Sequence, residues 1–277
     1  MYKKTTAEIE VLRQGGRLLA QILKETTDMV KPGVTTGELE EYVCERIAEV
    51  GGRPAFKGYG LATDPVFPTA LCTSVNQEIV HAPALPAREL KNGDIIGVDV
   101  GMEWPYKNTG KLDGKNIPVN PYSEGGGYYT DMSRTVAVGK ISMEAKKLMK
   151  ITRQCLDAAT KQVKPGNTVN DIGSTIEKIA EKEGYGVVRD LVGHGVGYKV
   201  HEKPDIFNYG IGSSHPQNIV LEVGMVIAIE PMINLGDWRI KTGNDGISIE
   251  TADDSLSAHY ENTIAITEKG PLIITEV

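Results

Sequence analysis

Cysteine, long apolar runs and excess positive charge are all scarce in this chain of 277 residues. The three cysteines, Cys44, Cys72 and Cys155, are odd in number and widely spaced, which argues against a disulfide framework. No apolar run approaches the length of a membrane span, and the opening residues MYKKTTAEIE lack the apolar core of a signal peptide. The formal net charge of -7 argues against nucleic acid or an anionic membrane as the main partner. We therefore expect a soluble protein of a reducing cytoplasm.

The chain contains a weak internal repeat. Residues 22–43, ILKETTDMVKPGVTTGELEEYV, align with residues 155–176, CLDAATKQVKPGNTVNDIGSTI, so that the two Lys-Pro-Gly triplets coincide. Both patterns predict a helix, a break, a threonine cap and a second helix with an acid, Glu38 or Asp171, in its first turn. Glycine-rich and β-branched runs follow each unit. The sequence predicts one α+β domain, residues 1–277, built of two similar halves, 1–140 and 141–277.

The segment LVGHGVGYKVHEKP, residues 191–204, carries two histidines, His194 and His201. Gly193, Gly195 and Gly197 make a helix unfavourable here, so we predict an extended strand or loop. The glycines also allow a backbone or ligand to approach closely. Taken alone, the segment fits a functional site and a glycine-rich turn with two surface histidines equally well.

Four acids interrupt apolar runs that are typical of buried strands. They are Asp99 in IIGVDVG, Asp131 in YYTDMSRTVAV, Glu230 in MVIAIEP and Glu261 in AHYENTIAI. Singly, each has a structural explanation: Asp131 could pair with Arg134, Asp99 could cap a turn, and Glu230 could stand at the wet end of a strand. As a set they would be costly to bury without a cation. With His194 they form an oxygen-rich group that suits a pair of Mn, Fe, Co or Zn ions better than a structural zinc.

Six motifs follow one another in a fixed order along nearly the whole chain. They are SVNQEIVH (74–81), VDVG (98–101), YYTDMSRT (128–135), GHGVGYKVHEKP (193–204), IEPM (229–232) and SLSAHYENT (255–263). As a set they resemble the type I methionine aminopeptidases. The resemblance implies the pita-bread fold, in which two αβ halves related by a pseudo-two-fold axis surround a dinuclear metal centre.

The resemblance also implies roles for particular residues. Two divalent ions, Co, Mn, Fe or Zn, would be held by Asp99, Asp131, His194, Glu230 and Glu261, all of which are present. Asp131 and Glu261 would bridge both ions, Asp99 would hold one, and His194 with Glu230 would hold the other. The implied reaction is hydrolysis of the first peptide bond, in which the ions activate a shared water and polarise the carbonyl. Glu230 would carry the proton, while His81 and His201 would donate hydrogen bonds to the substrate.

Five positions match the methionine side-chain pocket of these enzymes: Tyr59, Phe67, Cys72, Val200 and Ile247. Val200 and Ile247 stand where the family commonly has Phe and Trp, so we expect poorer discrimination against side chains similar to methionine. The interval from Tyr59 to Cys72 also looks longer than usual. Residues 102–127 read as a loop inserted at the rim of the site.

Two alternative functions remain open from the sequence. An Xaa-Pro dipeptidase is one, although those enzymes usually have an additional N-terminal domain and a further histidine where this chain has Asp190. A binding protein that kept the fold and lost the metals is the other, and the five ligand residues argue against it. The expected partners are the N-termini of nascent proteins, met at the ribosome, and we expect a monomer.

Two more histidines call for separate interpretations. We interpret His215 in GSSHPQN as a solvated loop residue. His259 precedes Glu261 by two residues on a predicted strand, which suggests a role in orienting a ligand carboxylate.

Overall fold

The structure is a computed structural model, and it describes residues 1–60 and 66–277. Within these ranges there are four helices: α1 (Thr6–Asp28), α2 (Thr36–Glu49), α3 (Met143–Thr160) and α4 (Val169–Lys182). The strands of the first half are β1 (Arg53–Pro54), β2 (Leu71–Val75), β3 (Glu78–Val80), β4 (Ile95–Trp104), β5 (Lys111–Leu112), β6 (Lys115–Asn116) and β7 (Tyr128–Ala137). Those of the second half are β8 (Gly186–Val187), β9 (Gly193–Gly195), β10 (Glu202–Ile206), β11 (Val226–Ile229), β12 (Met232–Asn234), β13 (Ile240–Thr242), β14 (Ile249–Thr251), β15 (Ser257–His259), β16 (Glu261–Thr267) and β17 (Gly270–Ile273).

The two helix pairs start in the same way. At α2 the backbone N–H of Thr35 donates to the Glu38 carboxylate at 2.7 Å, and at α4 the N–H of Thr168 donates to Asp171 at 2.7 Å. These contacts satisfy donors that a helix start would otherwise leave unpaired. The Lys-Pro-Gly breaks also match, because Gly33 and Gly166 both adopt a φ of 91°. The repeated sequence pattern therefore corresponds to a repeated local structure.

A large antiparallel sheet joins the two halves. Its strand order is β1-β4-β7-β16-β11-β9-β10, with β2 also paired to β4 and β17 to β16. Helices α1 and α2 pack on the first half in one buried cluster, and α3 and α4 pack on the second half in another. Burial of these apolar faces is the main stabilising term, at roughly 25 cal/mol per Å². No helix among residues 1–60 and 66–277 has both the length and the apolar character needed to cross a membrane.

The segment between β4 and β7 is a folded excursion. The two strands pair without interruption from Ile95 opposite Ala137 to Trp104 opposite Tyr128, so residues 102–104 belong to the sheet. The expectation of a loop starting at residue 102 is corrected accordingly, and the excursion comprises residues 105–127. It contains the short hairpin β5–β6. Buried Asn120 ties it to the rest of the chain, donating from Nδ2 to the carbonyl oxygen of Tyr198 at 2.9 Å.

Candidate metal centre and active site

The sheet register brings three of the four acids onto one face. Ser133 of β7 lies opposite Asp99 of β4 on one side and opposite Glu261 of β16 on the other. Asp131 lies two residues before Ser133 on the same strand, and alternate residues of a strand share a face. Glu230 directly follows β11, which pairs with β16, and His194 lies on β9, the next strand. Five residues that are far apart in the chain therefore converge.

The ligand atoms of this group lie close together. His194 Nε2 is 3.5 Å from an oxygen of Glu230 and 3.9 Å from an oxygen of Asp131. Asp131, His194 and Glu261 each offer one ligand atom, and these three atoms lie within 4.8 Å of one another. Such a set of carboxylates and imidazole is suited to a divalent metal ion.

The four carboxylates of this group need a cation to compensate their negative charge. Burial raises the pKa of Asp99 to about 7, and burial followed by the neighbouring carboxylates raises the pKa of Asp131, Glu230 and Glu261 well above the usual range. Asp99 Oδ1 and Glu261 Oε1 are buried and have no hydrogen-bond partner among the described residues. Four carboxylates can all ionise here only if positive charge compensates them. These residues therefore fit a metal site.

Arg134 does not supply the missing positive charge to Asp131. Its guanidinium donates to the backbone carbonyl oxygens of Ser133 and Glu261, at 2.7 and 2.6 Å, and to the side chain of Asn262. The structural explanation of an Asp131–Arg134 ion pair is therefore wrong. Asp99 does not cap a turn either, since it lies within β4.

The glycines around His194 are required by close packing. A Cβ at Gly193 would lie 2.5 Å from the backbone oxygen of Ala228, and one at Gly195 would lie 2.6 Å from that of Lys203. The ring of His194 places Nδ1 2.9 Å from the carbonyl oxygen of Gly195. This contact leaves Nε2 directed at the acids, and burial lowers the pKa of His194 to about 4, so the ring is neutral, as a metal ligand must be.

A cavity of about 620 Å³ opens above the acid cluster. Its walls include the five acid and histidine residues together with His81 and His201, and the predicted pocket residues Tyr59, Phe67, Cys72 and Ile247. His81 and His201 are exposed at its mouth. Desolvation by the surrounding protein lowers the pKa of both rings, which keeps them neutral. Val200 is the exception among the predicted residues, because it lines a smaller neighbouring cavity instead.

The loop that carries His201 is held by a buried ion pair. Lys4 Nζ lies 2.6 Å from a carboxylate oxygen of Glu202, and both side chains are almost fully buried. The other oxygen of Glu202 accepts hydrogen bonds from the backbone N–H groups of Tyr198 and Lys199, at 2.6 and 3.0 Å. These contacts fix the chain directly before His201.

The sequence interpretation missed several residues of the site. Phe56 lines the cavity and packs edge to face against Phe67, with ring centroids 6.4 Å apart. Thr263 accepts from the backbone N–H of Asp131 at 2.9 Å, and its hydroxyl donates to the Asp131 carbonyl oxygen. The alternation of a strand was the available signal for Thr263, since it lies two residues after Glu261 and shares its face.

The remaining two histidines differ in their surroundings. His259 is buried on β15, with Nε2 3.7 Å from Glu230 and 4.0 Å from Glu261. It therefore lies next to two of the acids, but its Nε2 has no hydrogen-bond partner among the described residues, and a role in orienting them stays a prediction. His215 is exposed on a loop.

Comparisons with known proteins show the family of this chain. The model of metallopeptidase family M24 matches residues 10–110 and 119–268. A methionine aminopeptidase of Clostridium perfringens is 40% identical over 98% of this chain and 97% of its own length. A methionine aminopeptidase of Escherichia coli is 36% identical over 98% of this chain and 92% of its own length.

Comparison with solved structures also leads to the methionine aminopeptidases. The crystal structure of methionine aminopeptidase from Thermotoga maritima superposes with a TM-score of 0.86 at 37% identity and full coverage of both chains. A prolidase from Pyrococcus horikoshii has a TM-score of 0.71 at 21% identity, and this chain covers 63% of it, so that likeness shows the fold alone. The fold is that of the pita-bread metallopeptidases, as the sequence predicted. The chain belongs to metallopeptidase family M24 and, within it, to the methionine aminopeptidases.

Proposed function

We propose that this protein removes the N-terminal methionine from peptides and nascent proteins by metal-dependent hydrolysis of the first peptide bond. The observation that carries the proposal is the buried cluster of Asp131, His194 and Glu261 at the floor of a cavity whose mouth is formed by His81 and His201. The family relationship supports the same activity.

We propose two divalent ions, chosen from Co, Mn, Fe and Zn, with Asp131 and Glu261 as shared ligands. Asp99 would complete one site, and His194 with Glu230 the other. The unpaired oxygens on Asp99 and Glu261 support this assignment, because each is a buried acceptor without a hydrogen-bond partner among the described residues, and both residues line the cavity. When bound, such ions lower the pKa of water and polarise the scissile carbonyl.

The remaining steps belong to side chains of this chain. Glu230 has a carboxylate nearly buried beside the cluster, and that position suits a group that takes a proton from water and returns it to the leaving amine. His81 and His201 are neutral and exposed to the cavity, so each can donate a ring N–H to the substrate. Donors placed before the reaction stabilise the charge that develops on the carbonyl oxygen.

The substrate would enter with its terminal amine toward Asp99 and its first side chain against the apolar wall. Phe56, Phe67, Cys72 and Ile247 give that wall aromatic, aliphatic and sulfur surface, which suits an unbranched thioether side chain. Asp99 is a buried acid in the cavity wall, so a charged terminal amine, and not a neutral internal peptide unit, would be favoured beside it. An internal peptide bond would therefore be disfavoured.

We propose that the enzyme acts as a monomer in the cytoplasm, on chains that emerge from the ribosome. The cysteines are free in the structure, and Cys72 and Cys155 are buried, which suits a reducing compartment. We propose no nucleic-acid or membrane partner.

One comparison tests the proposal. Purified protein would be loaded separately with Mn, Co, Fe and Zn and assayed on a Met-Gly-Xaa peptide and on an Xaa-Pro dipeptide. We expect release of methionine from the first and no cleavage of the second. Release of proline from the second and no methionine from the first would show that the protein is an Xaa-Pro dipeptidase.

A further inference from the structure

A second cavity opens directly beside the active-site cavity. It has a volume of about 300 Å³, and the two cavities share Tyr59 and His201 as a common wall. His201 is the residue proposed to contact the scissile peptide unit, so chain that leaves the active site past His201 reaches this second cavity. We call it the side cavity.

The side cavity is cationic. Arg53, Lys57 and Lys199 line it, and no carboxylate does so among residues 1–60 and 66–277. Arg53 already forms an ion pair with the buried carboxylate of Glu103, in which Nη2 of Arg53 lies 2.7 Å from Oε2 of Glu103. Lys199 is exposed and makes no ion pair with the described residues. Such a surface is unusual in a chain with a net charge of -7, and it favours an anionic occupant.

Another cavity beside His201 is lined by acidic side chains. This third cavity, which also has His201 in its wall, is lined by Asp190, Glu202 and Asp205; Lys4 pairs with Glu202 and Lys203 pairs with Asp205, each at 2.6 Å, so Asp190 is its acid without an ion pair among the described residues. A substrate chain that leaves the active site therefore meets positive charge on one side and negative charge on the other.

The excursion between β4 and β7 builds one wall of the side cavity. Tyr122 lines it and packs on Tyr198, with ring centroids 5.2 Å apart. The hydrogen bond from Asn120 to the Tyr198 carbonyl oxygen fixes this wall to the loop that leads to His201. The family model leaves residues 111–118 unmatched, and these contain the hairpin of the excursion. The hairpin itself does not line the side cavity, and both Asn120 and Tyr122 lie in the part of the chain that the family model matches.

We propose that the side cavity binds substrate residues downstream of the first peptide bond and selects acidic side chains there through Lys199 and its basic neighbours. This inference rests on the proposed aminopeptidase function. We expect the third or fourth residue of the substrate to reach the cavity, since an extended chain advances about 3.3 Å per residue. An attraction at a solvent-exposed site acts equally on bound substrate and transition state, so it should lower KM and leave kcat nearly unchanged.

The test uses peptides of the form Met-Ala-Xaa-Gly and Met-Ala-Gly-Xaa, with Xaa as Glu, Gln or Lys. We expect kcat/KM to be roughly threefold higher for Glu than for Lys at one of the two positions, with Gln between them. The preference should shrink in high salt. Lys199→Glu should abolish or reverse it. Lys115→Glu is the matched control, because Lys115 is an exposed lysine of the same excursion that does not line the side cavity.

Equal kcat/KM for Glu and Lys peptides in the unmodified protein would overturn the proposal. So would a preference for the Lys peptides that Lys199→Glu leaves intact and Asp190→Asn with Asp205→Asn removes, since the substrate would then follow the acidic side of His201. Failure to cleave even the Gln peptides would instead contradict the aminopeptidase function itself.

Discussion

The hydroxyl of Tyr59 lies 2.7 Å from Nδ1 of His201, and the two rings meet edge to face. A proton donated by Tyr59 to Nδ1 leaves the ring proton of His201 on Nε2. This is the tautomer that a hydrogen-bond donor to the substrate requires. We therefore propose that Tyr59 is a positioning residue for His201.

Tyr59→Phe tests this relationship by removing only the hydroxyl. Loss of one neutral hydrogen bond should reduce kcat/KM roughly fivefold. Bound metal, measured by elemental analysis, should not change. Tyr185→Phe is the matched control, since the Tyr185 hydroxyl has no hydrogen-bond partner among the described residues and Tyr185 lines neither the active-site cavity nor the side cavity. An equal loss in both variants would show that the Tyr59 hydroxyl does not orient His201.

Asp131 and His201 should separate metal binding from substrate contact. Asp131→Asn replaces a buried anion next to His194 and Glu261 with a neutral amide, so bound metal and turnover should both fall sharply. His201→Ala should keep its metal and lose roughly 10²- to 10³-fold in kcat, the usual effect of removing one oxyanion donor. Metal content and kcat would be measured on the same preparations. An empty metal site in His201→Ala would contradict the separate roles of His194 and His201.

The acid cluster could be predicted because its signal is local. Asp99, Asp131 and Glu261 each break an apolar strand pattern, and a buried acid in a strand has few explanations. The register that places Asp99 and Glu261 on either side of Ser133 could not be predicted, since it depends on which strands become neighbours. The family resemblance supplied that information where the local pattern could not.

The side cavity could not be predicted from the sequence, because it also depends on which distant segments become neighbours in the fold. Its walls come from residues 53–59, from Tyr122 and from the loop before His201, and only nonlocal contacts such as Asn120 to Tyr198 bring them together. Val200 is a different case. It directly precedes His201 in a bend before β10, so strand alternation does not apply to it and its place outside the main cavity depends on the path of this bend. The longer interval after Tyr59 falls partly on residues 61–65, outside the described ranges.

Ile247 and Val200 should affect substrate selectivity unequally. Ile247 lines the main cavity, and Val200 lines the side cavity. Ile247→Trp should therefore fill space beside the substrate side chain and sharpen the preference for methionine over leucine and norleucine, at roughly 25 cal/mol per Å² of apolar surface buried. Val200→Phe should change this preference less. Ratios of kcat/KM on Met-, Leu- and norleucine-terminated peptides measure both effects, and a larger change in Val200→Phe would place that side chain in the methionine pocket.

Glu8 should contribute stability that is lost in acid. Burial raises the pKa of Glu8, but hydrogen bonds from the Thr5 N–H and hydroxyl and from the hydroxyls of Tyr198 and Tyr128 outweigh it and lower the pKa below 4.5. Because the folded protein holds the ionised form more tightly than the unfolded chain does, this contribution is complete above pH 4.5 and disappears as the pH falls through the folded-state pKa.

Glu8→Gln should therefore lower the free energy of unfolding by about 1.5–3 kcal/mol at pH 7, the usual value of a hydrogen bond to a charged group. The difference from the unmodified protein should shrink as the pH falls below 4.5. Urea unfolding of both proteins at a series of pH values measures it, and the comparison cancels the titration of the metal-site acids. Glu45→Gln, at an exposed position of α2, should match the unmodified protein throughout. A difference for Glu8→Gln that stayed constant down to pH 3 would show that the Glu8 charge does not provide this stability.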